Sequence, residues 1–118
     1  MELCAEAARA GIKLSRLLDE SGHPEAATDA LATALKRDPL ISEQYHQQLM
    51  IRLALRADRY AAIEHYRRYV RYLRAEVGDT PMHETTALAQ HIKDGLPLGS
   101  LAALGSFGLS GHLTTSLM

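Results

Sequence analysis

Apolar residues recur along this chain at steps of three and four, the helical period. Over residues 1–20 they fall at Leu3, Ala7, Ala10, Leu14, Leu17 and Leu18, which predicts a first helix. Ser21-Gly22 ends it, since glycine suits the left-handed residue that follows a helix. Pro24 opens a second helix, where its missing N–H costs nothing. Ala27, Leu31, Ala34 and Leu35 share one face there, and Asp38-Pro39 stops the run. Ser42 is a suitable N-cap for a third helix. Leu49 to Leu55 is apolar except for Arg52, the pattern of a helix buried between neighbours. After the break at Arg56-Ala57-Asp58-Arg59, a fourth helix is predicted over about Tyr60 to Val77. Its inner stripe is Ala62, Tyr66, Tyr69, Val70, Leu73 and Val77, and Gly78 and Pro81 end it. A fifth, shorter helix over about His83 to Lys93 shows Ala87, Leu88 and Ile92, and Gly95 and Pro97 follow.

The pattern repeats. Ala27-x3-Leu31-x2-Ala34 recurs as Ala62-x3-Tyr66-x2-Tyr69, 35 residues later. This spacing is close to the 34-residue tetratricopeptide period, and Pro39 falls after the hairpin where that pattern places it. A small residue at Ala27 and Ala62 lets two helices approach closely. The fold expected is therefore all-α: about five helices in tetratricopeptide-like antiparallel hairpins, forming a short solenoid with a final capping helix. The helical-repeat domain is expected over residues 1–94, with residues 95–118 as an uncharged, Gly/Ser/Leu-rich tail or linker.

Composition adds bounds. The 118 residues suit one domain, and 47% apolar with 23% charged residues is ordinary for a soluble globular chain. A net charge of -1 gives no global signal for nucleic acid or an acidic membrane. One cysteine, Cys4, excludes an internal disulfide and fits a reducing cytoplasm. Glu2 and Glu6 interrupt any apolar leader, and the stretch from Leu96 is too rich in Gly, Ser and Thr for a membrane span. A cytoplasmic protein that makes no membrane contact is expected.

Taken together and in order, several stretches resemble the bacterial transcriptional activator domain. They are Arg37-Asp38-Pro39-Leu40, His46-Gln47-Gln48-Leu49-Met50, Ala62-x3-Tyr66, Leu73-Arg74-Ala75-Glu76-Val77-Gly78, and Pro81-x2-Glu84-Thr85 with Leu88. Upstream, Gly22-His23-Pro24-Glu25-Ala26-Ala27 is similar to that family's first hairpin turn. The resemblance spans about residues 3–94. It implies a helical-repeat fold working beside a winged helix-turn-helix domain that binds promoter DNA, a domain this chain cannot itself supply. Contact with DNA would then be indirect. The partners implied are other domains of the same regulator, or a second copy in a homodimer. Two departures stand out: Ala57-Asp58 occupies a turn that usually holds glycine, and the tail from Leu96 has no counterpart. The competing reading is a stand-alone tetratricopeptide-like adaptor unrelated to transcription.

Chemistry is sparse. His83-Glu84 begins like a zinc signature, but the position four residues after His83 is Ala87. His83 and His91 stand two turns apart, roughly 12 Å along a helix, too far to share one ion at bonds of about 2 Å. The histidines are expected to be exposed or capping, with no metal bound. Cys4 reads as a small buried hydrophobe or part of a fraying terminus rather than a nucleophile. No phosphate loop is present, and Asp19-Glu20 lies at a helix end without an apolar pocket. Neither an enzymatic activity nor a cofactor is expected.

The arginines offer more. Between Arg52 and Arg74 stand seven arginines against Asp58 and Glu64. Arg67, Arg71 and Arg74 share a helix face, with Arg68 on its flank. Tyr60, Tyr66, Tyr69 and Tyr72 interleave, although Tyr66 and Tyr69 belong to the inner stripe. The face can be solvated, can dock an acidic protein surface, or can touch nucleic-acid phosphates. Arg9, Lys13 and Arg16 make a smaller basic face on the first helix. These seven cations are the candidate partner-binding residues. The peptide-carboxylate clamp of tetratricopeptide co-chaperones uses Asn, which this chain lacks.

Overall fold

The computed structural model describes residues 2–98, and the helix-to-helix order follows the sequence period. The helices are α1 (Glu2–Glu20), α2 (Pro24–Arg37), α3 (Glu43–Leu55), α4 (Arg59–Tyr72), a π-helical turn (Leu73–Val77) and α5 (His83–Lys93). No strand occurs among the described residues. They divide into two compact units, residues 1–45 and the described part of residues 46–118. The expected tail is described only as far as Leu98, which lies against the core of the second unit. Residues 99–118 lie outside the described residues.

The helix ends show why these segments stop where they do. At the end of α1, the Gly22 N–H donates to the Asp19 carbonyl and the His23 N–H to the Leu18 carbonyl, with Gly22 at φ +82°. This is the paired closure of a Schellman turn, which needs a left-handed residue. The end of α3 is closed the same way. The Ala57 N–H donates to the Ala54 carbonyl and the Asp58 N–H to the Leu53 carbonyl, but the left-handed residue is Ala57, at φ +61°. A Cβ in that region costs about 1–2 kcal/mol. Asp58 then caps α4, its Oδ1 accepting from the Ala61 N–H at 3.0 Å. Ala57→Gly should therefore stabilise the protein by about 1 kcal/mol, less whatever glycine loses in unfolded-state entropy. A raised thermal midpoint is the expected reading, and an unchanged or lower one would deny the strain.

In the first unit, α1 and α2 pack as a hairpin. Ala8, Ile12 and Ser15 of α1 are buried, as are Ala27, Thr28, Leu31, Ala34 and Leu35 of α2. The Ser15 hydroxyl donates to the Ala27 carbonyl at 2.7 Å, joining the two helices. Gly11 lets them come closer: a Cβ added there would stand 2.9 Å from the Ala34 Cβ. The α1 apolar series read from the sequence is mostly not the buried one, since Ala10 is exposed, Leu14 is 50% exposed and Leu17 58%.

In the second unit the core is Met50, Ile51, Ala62, Leu88, Ala89 and Ile92, contributed by α3, α4 and α5. Ala27 and Ala62, equivalent in the repeat, both have no exposed surface. Ala62→Leu should accordingly cost about 1–3 kcal/mol by overpacking, read as a lower denaturant midpoint. Ala87→Leu serves as the control, because Ala87 is exposed and Thr85, Leu88, Ala89 and Ile92 are the residues that α5 buries. Two further positions differ from the periodic pattern. Leu55 is 61% exposed although it ends an apolar run, and Val77 is 47% exposed. Val77 sits on the π-helical turn, where the Gly78 and Asp79 N–H groups both donate to the Leu73 carbonyl. The wider turn carries Val77 off the stripe that an α-helical period would give it.

Candidate interaction surfaces

Arg67, Arg68, Arg71 and Arg74 are all exposed, on the side of α4 and its π-helical turn away from the buried Ala62, Tyr69 and Leu73. Arg67 Nη1 stands 3.5 Å from Glu64 Oε2, one turn earlier. Among the described residues no carboxylate pairs with Arg68, Arg71 or Arg74 at such a distance. Like charges three and four positions apart repel by a few tenths of a kcal/mol. On α1, Arg9, Lys13 and Arg16 are exposed as well, and Arg16 Nη2 donates to the Tyr45 hydroxyl at 3.2 Å.

The tyrosines divide. Tyr60 is 74% exposed and Tyr69 is buried. Tyr66 is half-buried at the edge of the core, its hydroxyl 3.1 Å from Thr86 Oγ1. Tyr66 and Tyr69 are therefore not part of a platform along the arginine face.

The histidines correct the expectation that all are exposed or capping. His83 is exposed, and His91 Nε2 lies 2.8 Å from the Pro97 carbonyl. His23 stands at the N-cap of α2 without a side-chain capping bond. His46 and His65, however, meet inside the second unit. His46 Nδ1 is 2.8 Å from His65 Nε2. The His46 ring also stacks on Tyr69, with centroids 3.9 Å apart. One imidazole donates and the other accepts, an arrangement that needs both rings neutral or one proton shared. Burial above all, and then the charges of His46 and Arg68, lower the His65 pKa from 6.5 to about 3. Beside them, buried Gln47 donates from Nε2 to Thr85 Oγ1 at 2.8 Å, tying α3 to α5.

Sequence spacing within one helix could not reveal this pair, because its members lie 19 residues apart on α3 and α4. The repeat carries the signal. At the 35-residue offset Gly11 corresponds to His46, Ala30 to His65 and Ala34 to Tyr69. The close backbone contact of the first hairpin is replaced in the second by stacked rings.

Cys4, expected to be buried or fraying, lies exposed on α1. Among the described residues no three His, Cys, Asp or Glu side chains gather as metal ligands, and none of the described helices is long and apolar enough to cross a membrane.

These features define a small all-α protein of packed helix pairs, with exposed cationic residues on α1 and α4. The family model described as the bacterial transcriptional activator domain matches residues 2–93, and the chain belongs to that family. It is a regulatory domain of the transcriptional-activator type. No curated protein and no solved structure matches the chain.

Proposed function

We propose that this domain is a non-catalytic protein–protein interaction module of a cytoplasmic bacterial transcriptional regulator. It works beside a winged helix-turn-helix domain that reads the promoter, and the α4 arginine face docks other domains of the regulator. The observation that carries this reading is the exposure of Arg67, Arg68, Arg71 and Arg74 with a single acidic neighbour, Glu64, at ion-pair distance among the described residues. A partner's carboxylates would relieve the repulsion, and complementary charge acts mainly on the association rate.

The test is paired. Arg67→Glu with Arg71→Glu should leave the melting curve of the chain unchanged or slightly raised. In a full-length regulator carrying this domain, the same change should lower reporter activation, with a salt-sensitive loss of association. Wild-type activation by the double variant would sink the docking role.

A further inference from the structure

After α5 the chain turns back on the second unit in a fixed direction. The Gly95 N–H donates to the Ile92 carbonyl and the Leu96 N–H to the His91 carbonyl, the paired closure that needs Gly95 in its left-handed conformation. His91 Nε2 then meets the Pro97 carbonyl at 2.8 Å, and Leu98 packs against the core. Beside this strap lies a cavity of about 460 Å³, lined by Ala54, Arg59, Ile92, Gly95, Leu96 and Leu98. That volume falls in the range of sites that hold a ligand, about 300–1,000 Å³. Arg59 is the one charged residue of the wall, and it lies against Gly95: a Cβ added there would stand 2.5 Å from Arg59 Nη1. Among the described residues the Arg59 side chain has no hydrogen-bond or ion-pair partner. Leu96, also on the wall, is 48% exposed.

We propose that the segment from Leu101 to Phe107 of the same chain closes over this cavity, its large apolar residues meeting Ala54, Leu96 and Leu98. Three observations select this occupant. Leu98, from which the chain continues, is itself part of the cavity wall. Three residues span at most about 11 Å, so Leu101 stays in the neighbourhood of the cavity. The composition of the segment suits an apolar seat: residues 99–118 contain no Asp, Glu, Lys or Arg, and Leu98, Leu101, Leu104 and Phe107 recur at every third position. The unpartnered Arg59 agrees as well, since an uncharged segment brings backbone carbonyls, and these accept from a guanidinium. An acidic ligand would also suit Arg59, but it has to compete with a segment tethered at the rim. Short tethers give effective concentrations of the order of mM, so an intrinsic Kd of about 0.1 mM keeps the segment about 90% docked. The contact is independent of the arginine face of α4.

The chain has no tryptophan, so Phe107→Trp in the full 118-residue chain makes a single reporter inside the segment. Its emission should be blue-shifted from that of the same chain unfolded in urea. Acrylamide should quench it about tenfold more slowly than in urea, the ratio that about 90% docking gives. Adding Ala54→Glu puts a charge into the cavity wall from α3, far along the chain from the reporter, and should return emission and quenching to the urea values. Ala87→Glu, at an exposed position of α5, should change neither. Leu96→Glu, at a half-exposed wall residue, should release the reporter as Ala54→Glu does, and it decides the matter if Ala54→Glu lowers the circular dichroism signal of the helices. The readings should be the same from about 5 to about 500 µM, because association with another chain would depend on protomer concentration. A reporter that is solvated in the parent chain overturns the docking. So does a shielded reporter that neither wall substitution releases, which would place the segment elsewhere. Shielding that grows with concentration overturns it in favour of a second copy's segment.

Discussion

Between pH 7.5 and pH 5 the folded protein should lose about 2 kcal/mol of stability through His65 alone. In the folded state this imidazole is held neutral, with its pKa near 3, by burial and by the neighbouring His46 and Arg68. In the unfolded chain it titrates at its ordinary value of 6.5. Between those values the unfolded state binds the extra proton, so stability rises with pH across that window. The stabilisation is complete above pH 6.5 and is lost progressively as the pH falls toward 3. At pH 5 the gap is about 1.5 units, and at 1.36 kcal/mol per unit that is about 2 kcal/mol. Carboxylates titrate over part of the same range, so the clean measurement is a difference. Urea unfolding at both pH values should show the wild type losing about 2 kcal/mol more than a His65→Leu variant. Equal losses would mean that His65 is solvated enough to protonate in place.

Leu88→Ala should cost about 3–5 kcal/mol, the upper part of the range for a deleted leucine. Leu88 has no exposed surface and sits in one cluster with Met50 and Ile51 of α3 and Ala62 of α4. Its neighbours are poorly placed to fill the space. Ala62 has only a methyl side chain, which cannot reorient, and α3 and α5 are joined by the Gln47–Thr85 side-chain bond. Domain stabilities run at about 5–15 kcal/mol, so this one substitution removes a large fraction. The denaturant midpoint should fall with an unchanged slope. A loss below about 1 kcal/mol would show that the cluster closes around the gap, contrary to the close packing described.

The positions where the sequence speaks plainly are those where one residue has one local role. Gly22, Gly78 and Gly95 stop helices at positive φ, and the alanines at 27 and 62 mark buried crossings. The reading falters where two faces of one helix are equally apolar. In α1 the exposed series contains the larger side chains, and burial went instead to Ala8, Ile12 and Ser15 because Gly11 and Ser15 determine where α2 lies. In α5, Ala87 and Ala89 are the same residue, so only tertiary contact separates exposed from buried. Val77 departs because a wide turn interrupts the period. The cationic residues were fully visible in the sequence. The paired rings of His46 and His65 were not, since their meeting belongs to the packing of two helices.

The two hairpins keep their helices apart by opposite means, and they should answer mutation with opposite intolerances. In the first, the gap is narrow because Gly11 offers no side chain to Ala34. Any residue added there is surplus, and a library at positions 11 and 34 should accept only the smallest side chains. In the second, the gap is propped open by His46 against Tyr69. Any residue trimmed there leaves a hollow, and a library at positions 46 and 69 should accept only flat rings. A copy of one hairpin in place of the other would have to carry all three of its spacer positions together. Changing one at a time would pass through a chain that is either jammed or hollow.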